Sequence, residues 1–202
     1  MKITRNDWWI TPVWEIQTDF DHNFNQQLLQ EINDYFNSLP KGDGFNTNIW
    51  TCPGESVKIL KETTLKIIKD ETHSFIAPNY TDFEYWHTRG WLNYNLPGHM
   101  MPIHGHGGNK IAMTYYISAP ERSGDLQIID PRGAVDWDNG NDGVNGTKFK
   151  RIKPAESKLV FFPAYLLHQV EQNCSDQPRI SLTSNISTLD TATVKTLKSL
   201  CS

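Results

Sequence analysis

Long hydrophobic runs, regularly spaced cysteines and an excess of one charge are all missing from this sequence of 202 residues. No apolar run approaches the roughly 20 residues that a membrane-spanning helix needs. The N-terminal stretch "MKITRNDWWI" also has no continuous apolar core of the kind found in signal peptides. The cysteines, Cys52, Cys174 and Cys201, are odd in number and lack CxxC spacing, which argues against a disulfide framework. We therefore expect a reduced protein in the cytoplasm, without a membrane partner.

Neither sign of charge dominates, because 19 Lys and Arg stand against 23 Asp and Glu, for a net charge of −4. Proteins that bind nucleic acid through their backbone phosphates carry basic patches and usually a basic balance. Nucleic acid is therefore not expected as a partner. A composition of 38% hydrophobic and 21% charged residues is ordinary for a globular protein, and the length suits a single domain over residues 1–202.

The residue pattern changes along the chain from helical to strand-like. Residues 1–78 contain an N-terminal strand and two amphipathic helices, one from about Phe24 to before Pro40 and one capped by Ser56. From residue 79 to 187, short β-branched and aromatic runs alternate with Gly, Pro and Asn, and residues 188–202 end in a short helix. This order predicts an α+β, mainly β fold. Its core is a double-stranded β-helix, or jelly roll, around a barrel-like interior with N-terminal flanking helices.

Two histidines, His104 and His106, stand one residue apart in "HGHGG", and His168 follows about sixty residues later. On a strand, residues i and i+2 face the same way, so both imidazoles would enter the same interior. Three imidazoles on one side of an ion leave the opposite positions open, which is the geometry that oxygen-activating iron sites use. A single buried histidine is more often only hydrogen-bonded, so the prediction of a metal site depends on all three.

Eleven residues beyond His168, Arg179 opens the run "RISLTSN". The polar turn at 173–177 predicts a hairpin that places Arg179, Ser181 and Thr183 beside the strand of His168. A buried arginine needs an anionic partner, and no acidic residue shares its face. An anionic ligand that also chelates the metal fits, because guanidinium pairs with carboxylate in a bidentate fork. A surface arginine on an edge strand is the alternative.

This ordered set of residues resembles the iron(II)/2-oxoglutarate-dependent oxygenases. More closely, the run from Trp91 to Ser187 is similar to a family of oxygenases of unassigned substrate that carry a His-x-His motif. The resemblance implies Fe(II) as the metal and 2-oxoglutarate as the cosubstrate. It implies His104 and His168 as metal ligands and Arg179 as the partner of the far carboxylate of 2-oxoglutarate. Further cosubstrate contacts are expected from three residues: Tyr116, Ser181 and Thr183.

The sequence departs from the family pattern at the second ligand, where an aspartate or glutamate is usual and His106 stands instead. We predict that His106 is the third metal ligand, and Asp125 or Asp130 remains the alternative source of an acid. A neutral imidazole leaves the ferrous site one charge unit more positive than a carboxylate would. That charge favours a dianionic cosubstrate.

The resemblance implies a dioxygenase that hydroxylates a C–H bond of a small-molecule or peptide substrate and releases succinate and CO2. A prolyl or other amino-acid residue is the first hypothesis for the substrate. The alternatives are a cupin-type metal-dependent protein and an inactive jelly-roll binding or structural protein. Asn93, Asn95 and Arg132 are candidates for contact with the substrate. The alternatives are that the two asparagines bind buried backbone groups and that Arg132 pairs with Asp130. His87 and His99 are expected to be solvated.

The segment 133–146, "GAVDWDNGNDGVNG", has loop composition throughout. It is predicted to be either a lid over the site or a plain loop.

Overall fold

The computed structural model of the protein describes residues 11–39, 48–76, 83–132 and 149–200. The segment 133–146, predicted as a lid or a plain loop, lies outside these ranges. Within them, no helix is both long enough and apolar enough to cross a membrane.

Three α-helices are described: α1 (His22–Ser38), α2 (Glu55–Ile76) and α3 (Thr191–Leu200). α1 begins after Asp21, whose side-chain oxygen accepts a hydrogen bond of 2.8 Å from the backbone N–H of Phe24. The two predicted N-terminal helices and the short C-terminal helix are thus confirmed. A 3-10 turn at Ile49–Thr51, which the sequence did not predict, precedes α2.

The prediction that Ser56 caps α2 is wrong, because α2 already begins at Glu55. The free N–H groups of its first turn are instead bound by Glu31 of α1. Glu31 Oε2 accepts hydrogen bonds from Ser56 N at 2.9 Å and Val57 N at 3.3 Å, and Oε1 accepts one from the Ser56 hydroxyl at 3.2 Å. A carboxylate at this position also complements the positive end of the helix dipole. Local sequence reasoning missed this cap because it comes from a different helix.

Nine described strands form two antiparallel sheets. One sheet has five strands in the order β1-β7-β4-β9-β2 and the other has four in the order β3-β8-β5-β6. The strands are β1 (Trp14–Gln17), β2 (Phe83–Asn95), β3 (Met101–His104), β4 (Ile111–Ser118), β5 (Leu126–Ile129), β6 (Phe149–Ile152), β7 (Lys158–Pro163), β8 (His168–Val170) and β9 (Arg179–Asp190). Among the described residues the strands therefore make two separate sheets rather than one closed barrel. This is otherwise the predicted mainly β architecture.

The five-stranded sheet has two chemically different faces. On β9, Ile180, Leu182 and Ile186 pack into the core shared with α1 and α2. The alternate residues on β9, beginning with Arg179, line a cavity between the two sheets. The two-residue period of a strand thus gives one face to the folding core and the other to the site.

The predicted hairpin between β8 and β9 is also wrong. β8 pairs with β3 and β5 in the four-stranded sheet, whereas β9 pairs with β2 and β4 in the five-stranded sheet. The turn at 173–177 therefore carries the chain from one sheet to the other. Asn173 fixes this crossing, since its Nδ2 donates hydrogen bonds of 2.8 Å to the carbonyl oxygens of Asn95 and Gln177. As a result, His168 and Arg179 reach the same cavity from opposite sheets.

Candidate metal centre

The three histidines of the predicted metal site come together at the cavity. Their ring centroids are 5.2 Å apart for His104 and His106, 4.2 Å for His104 and His168, and 5.0 Å for His106 and His168. One nitrogen from each ring lies within 4.8 Å of the other two, which is close enough for a single ion to be bound by all three. In the part of the chain that the structure describes, no Asp, Glu or Cys joins this group.

Backbone carbonyl groups orient two of the rings. His104 Nδ1 lies 2.8 Å from the Pro102 carbonyl oxygen, and His168 Nδ1 lies 3.0 Å from that of Leu166. Because a carbonyl oxygen can only accept, each Nδ1 carries the hydrogen and each Nε2 keeps its lone pair. Such contacts fix both the tautomer and the direction of a metal-binding imidazole.

Burial favours the neutral form of two histidines of the site, His168 and His106. Burial, with smaller contributions from the neighbouring His104 and His106, lowers the pKa of His168 to about 4, although the hydrogen bond to the Leu166 carbonyl opposes this shift. Burial also lowers the pKa of His106, with a smaller contribution from His104. Both rings are therefore in the metal-binding form at neutral pH.

His106 reaches the site in a way that strand periodicity did not predict. β3 ends at His104, and His106 lies beyond it, where its backbone N–H donates a hydrogen bond of 3.0 Å to the Ala164 carbonyl oxygen. The loop that follows β7 thus positions His106, while pairing of His104 with His168 positions the other two ligands.

The other wall of the cavity carries the predicted cosubstrate residues. Arg179, Ser181, Thr183 and Tyr116 all line it, and each is at most 9% exposed. Burial raises the pKa of the Tyr116 hydroxyl to about 12, although the nearby Arg179 opposes this shift. Tyr116 is therefore a neutral hydrogen-bonding group.

Arg179 is a buried cation whose guanidinium is only partly satisfied by the protein. Its Nη1 donates to the carbonyl oxygens of Ser123 at 3.1 Å and Gly124 at 2.8 Å. Its Nε is buried and has no hydrogen-bond partner among the described residues, and no ion pair joins Arg179 to a described carboxylate. A buried guanidinium with an unused donor calls for an anionic ligand.

The remaining predicted residues divide into two groups. Asn93 and Asn95 line the cavity, and Asn93 Nδ2 donates a hydrogen bond of 2.7 Å to the Thr183 hydroxyl, which also contacts Thr114 at 3.0 Å. Arg132 is not among the cavity-lining residues, and its Nε donates a hydrogen bond of 2.9 Å to Asp130. The structure therefore does not bring Arg132 to the site.

The structure also shows where the two alternative acidic ligands and the two histidines expected to be solvated lie. Asp130 is engaged with Arg132, and Asp125 lies outside the metal-binding group, so among the described residues neither replaces His106. His99 is exposed as expected. The expectation that His87 is solvated is wrong, because it is only 8% exposed and stacks on Trp50 with ring centroids 4.0 Å apart.

Two aromatic residues at the metal centre were missed. Trp91 lies against His106 with ring centroids 5.8 Å apart, and Phe162 meets His168 edge-on at 4.9 Å. Both also line the cavity. For Trp91 a signal was available, since it precedes Asn93 and Asn95 at the two-residue spacing of one strand face.

The donor set fits a divalent metal and a dicarboxylate together. Three imidazole ligands suit Fe(II). The unpartnered Nε of buried Arg179 suits a carboxylate. The residues that line the cavity include one cation and no Asp or Glu, so nothing acidic competes with an anionic ligand.

Solved structures with a similar fold include those of several oxygenases. A prolyl-4-hydroxylase from Pseudomonas putida is 15% identical over 88% of both chains, with a TM-score of 0.55. HygX from Streptomyces hygroscopicus, solved with iron bound, is 10% identical over 88% of this chain and 82% of its own, with a TM-score of 0.58. ThoJ, a non-heme monooxygenase solved with nickel, is 11% identical over 90% of this chain and 76% of its own, with a TM-score of 0.62. At these identities the likeness establishes the fold, and it confirms the predicted jelly-roll class.

The class of protein follows from the sequence of this core. Residues 89–185 match the model of a family described as "Putative 2OG-Fe(II) oxygenase". None of the curated proteins with which the chain was compared matches it. The matched range contains the three histidines and Arg179. Residues 89–185 are therefore similar in sequence to the 2OG-Fe(II) oxygenases, and the resemblance predicted from the motifs is confirmed over this range.

Proposed function

We propose that the protein is a dioxygenase that uses Fe(II) and 2-oxoglutarate to hydroxylate a C–H bond. The observation that carries this proposal is Arg179, a buried guanidinium with an unpartnered Nε in the same cavity as three converging imidazoles. A metal alone would explain the histidines but not the arginine. A dicarboxylate that reaches from the metal to Arg179 accounts for both.

The protein's own residues bind and orient the reactants. His104, His106 and His168 hold the metal from one side, and Arg179 binds the far carboxylate with Tyr116, Ser181 and Thr183 beside it. When bound, the metal with dioxygen and 2-oxoglutarate supplies the oxidising chemistry. In the balanced reaction one oxygen atom enters the substrate C–H bond, and the other enters succinate as CO2 leaves.

The neutral His106 changes the charge of this site. With three imidazoles in place of two imidazoles and a carboxylate, the metal keeps its full double positive charge, and Arg179 adds another. Two negative charges on 2-oxoglutarate are therefore drawn to the cavity, where burial weakens the screening of charge by water. This is the reason to favour a dianionic cosubstrate here.

We propose an amino-acid residue, free or within a peptide, as the substrate class, with proline as the first candidate. The support for this class is the shared fold with the Pseudomonas putida prolyl-4-hydroxylase and the placement of Tyr116 on the cavity wall. Succinate release measured with pools of peptides, free amino acids and other metabolites tests this directly. A pool of non-amino-acid metabolites that alone stimulates succinate release would contradict it.

The cofactor requirement is tested by thermal unfolding with Mn(II), a metal that avoids turnover, with and without 2-oxoglutarate. We expect the melting temperature to rise with metal and to rise again with 2-oxoglutarate only when metal is present. A rise with metal alone would favour the cupin alternative. No response to either would favour a binding or structural protein.

A further inference from the structure

The guanidinium of Arg179 is held by a turn that has no role in the proposal above. This turn, residues 119–125, connects β4 to β5. The carbonyl oxygens of Ser123 and Gly124 accept both of the hydrogen bonds that the Arg179 guanidinium donates to described residues, at 3.1 and 2.8 Å. Both bonds come from Nη1, so the opposite side of the guanidinium, which includes Nε, is not used by the turn.

The path of the turn depends on two residues in the left-handed backbone region. Arg122 has φ of 64° and Gly124 has φ of 90°. Two backbone hydrogen bonds support this path: Ser123 N donates to the Pro120 carbonyl oxygen at 3.2 Å, and Cys174 N donates to that of Arg122 at 2.9 Å. The second bond ties the turn to the crossing segment that leads to β9.

Gly124 is also the point where the turn touches the chain that follows β8. A Cβ atom at Gly124 would lie 2.3 Å from the Glu171 carbonyl oxygen and 2.8 Å from its carbonyl carbon. These are backbone atoms, and Glu171 N is itself bonded to the Asp125 carbonyl oxygen at 2.9 Å. If the turn and the segment at Glu171 moved apart to admit a Cβ atom, this hydrogen bond would break, so only glycine fits at position 124.

We infer that the turn 119–125 is a positioning element for the cosubstrate. By holding Nη1 with two carbonyl groups, the turn fixes how far the unpartnered Nε side of Arg179 lies from the metal-binding histidines. It thereby selects the length of the dicarboxylate that spans the metal and the arginine. This inference rests on the proposed function and assigns to Gly124 and Arg122 a role that acts only through Arg179.

The first test compares Gly124→Ala with Gly98→Ala in the Mn(II)-loaded protein, with calorimetric titration of 2-oxoglutarate. Gly98 is a matched control because its φ is also positive, at 84°, but a Cβ there meets nothing closer than Gln172 Nε2 at 3.9 Å. We expect Gly124→Ala to weaken 2-oxoglutarate binding by about tenfold or more while Mn(II) binding stays within about twofold. Gly98→Ala should leave both affinities unchanged.

The second test avoids the steric clash, in case Gly124→Ala fails to fold. Arg122→Pro forbids the positive φ of the turn, whereas Arg122→Gly allows it and serves as the conservative rescue. The measured quantity is the affinity for 2-oxoglutarate relative to that for two other dicarboxylates. Oxaloacetate is one methylene shorter than 2-oxoglutarate, and 2-oxoadipate is one methylene longer. A shifted turn should reduce the preference for 2-oxoglutarate in Arg122→Pro, and Arg122→Gly should restore it. A merely structural defect would lower stability without changing this ratio.

The outcomes separate this inference from the function on which it rests. If the wild-type protein binds no 2-oxoglutarate in the presence of Mn(II), the proposed function fails. If the wild type binds it and folded Gly124→Ala or Arg122→Pro binds it equally well, with the same length preference, the turn has no positioning role and the inference is overturned.

Discussion

At the scale of single residues, Arg179 separates cosubstrate binding from metal binding. Arg179→Ala removes the cation that attracts the far carboxylate but leaves the three histidines in place. We expect the variant to keep the rise in melting temperature caused by Mn(II) and to lose the further rise caused by 2-oxoglutarate. Loss of two charge-assisted hydrogen bonds should weaken 2-oxoglutarate binding by about a hundredfold.

Arg132→Ala is the matched control for this experiment, since Arg132 lies outside the cavity and is paired with Asp130. Arg132→Ala should keep both rises in melting temperature, the one caused by Mn(II) and the one caused by 2-oxoglutarate. If Arg179→Ala also lost the rise in melting temperature caused by Mn(II), the arginine would be a structural residue and its assignment to the cosubstrate would be wrong.

His106 is the residue whose role as a ligand is least usual, and its substitution tests the three-histidine site. We expect His106→Ala to weaken Mn(II) binding by at least about tenfold, because one of three protein ligands is lost. His106→Asp should retain binding, since a carboxylate is also a good ligand for this ion. Calorimetric titration with Mn(II) measures both, and the exposed His99→Ala serves as control. Binding that is unchanged in His106→Ala would remove His106 from the ligand set.

The sequence predicted that these residues lie together because their chemistry is unusual and their order along the chain is specific. The order of His104, His168 and Arg179 along the chain, together with the family resemblance, singled out these residues, and the structure places them at one cavity. His87 shows the limit of such reasoning. Its burial depends on α2 and on Trp50, which lies 37 residues away in the chain, and no local pattern reports that contact.

At the scale of elements, Glu31 links α1 to α2 by binding the N-terminal turn of the second helix. Glu31→Ala would leave the N–H groups of Ser56 and Val57 without their acceptor. We expect the free energy of unfolding to fall by about 1–2 kcal/mol, which is the usual effect of losing a helix cap. Urea denaturation measures this change. The control Glu62→Ala removes an exposed glutamate of α2 and should change stability by less than about 0.5 kcal/mol. Equal losses in the two variants would contradict the capping role.

The main elements were predictable because hydrophobic periodicity is a local property, but their partners were not. α1, α3 and the long strands lie close to where the sequence placed them. The sequence could not show that the turn at 173–177 crosses between sheets, since a polar turn has the same composition in a hairpin and in a crossing. The crossing is visible only from the pairing of β9 with β2 and β4.

At the scale of the whole molecule, the five-stranded sheet divides the buried residues into two sets. Its helix-facing side holds the larger apolar core, and its other side holds the polar cavity wall. The helices therefore cover one face and support a sheet whose second face is free for chemistry. His87 stands at this covered face, where its Nδ1 lies 2.8 Å from the Ser184 hydroxyl.

The burial of His87 makes the stability of the whole molecule depend on pH. Burial lowers the pKa of His87 to about 3, with a smaller contribution from the charge of Lys61. An unfolded histidine titrates near 6.5, so between pH 6.5 and pH 3 the unfolded chain binds a proton that the folded protein does not. The stability that comes from keeping His87 neutral is therefore fully present above pH 6.5 and is lost as pH falls toward 3. It amounts to no more than about 5 kcal/mol.

His87→Gln isolates this effect from that of His168, which is buried as well. We expect the variant to be less stable than the wild type at pH 7.5, because packing on Trp50 and the contact with Ser184 are disturbed. Its free energy of unfolding should, however, fall less steeply between pH 6.5 and pH 4.5, so that the gap to the wild type narrows on acidification. Urea denaturation at a series of pH values measures both slopes, and His99→Gln, at an exposed position, should follow the wild type. Parallel slopes for His87→Gln and the wild type would mean that His87 gains a proton in the folded protein as readily as in the unfolded chain, and its burial would then have no bearing on acid stability.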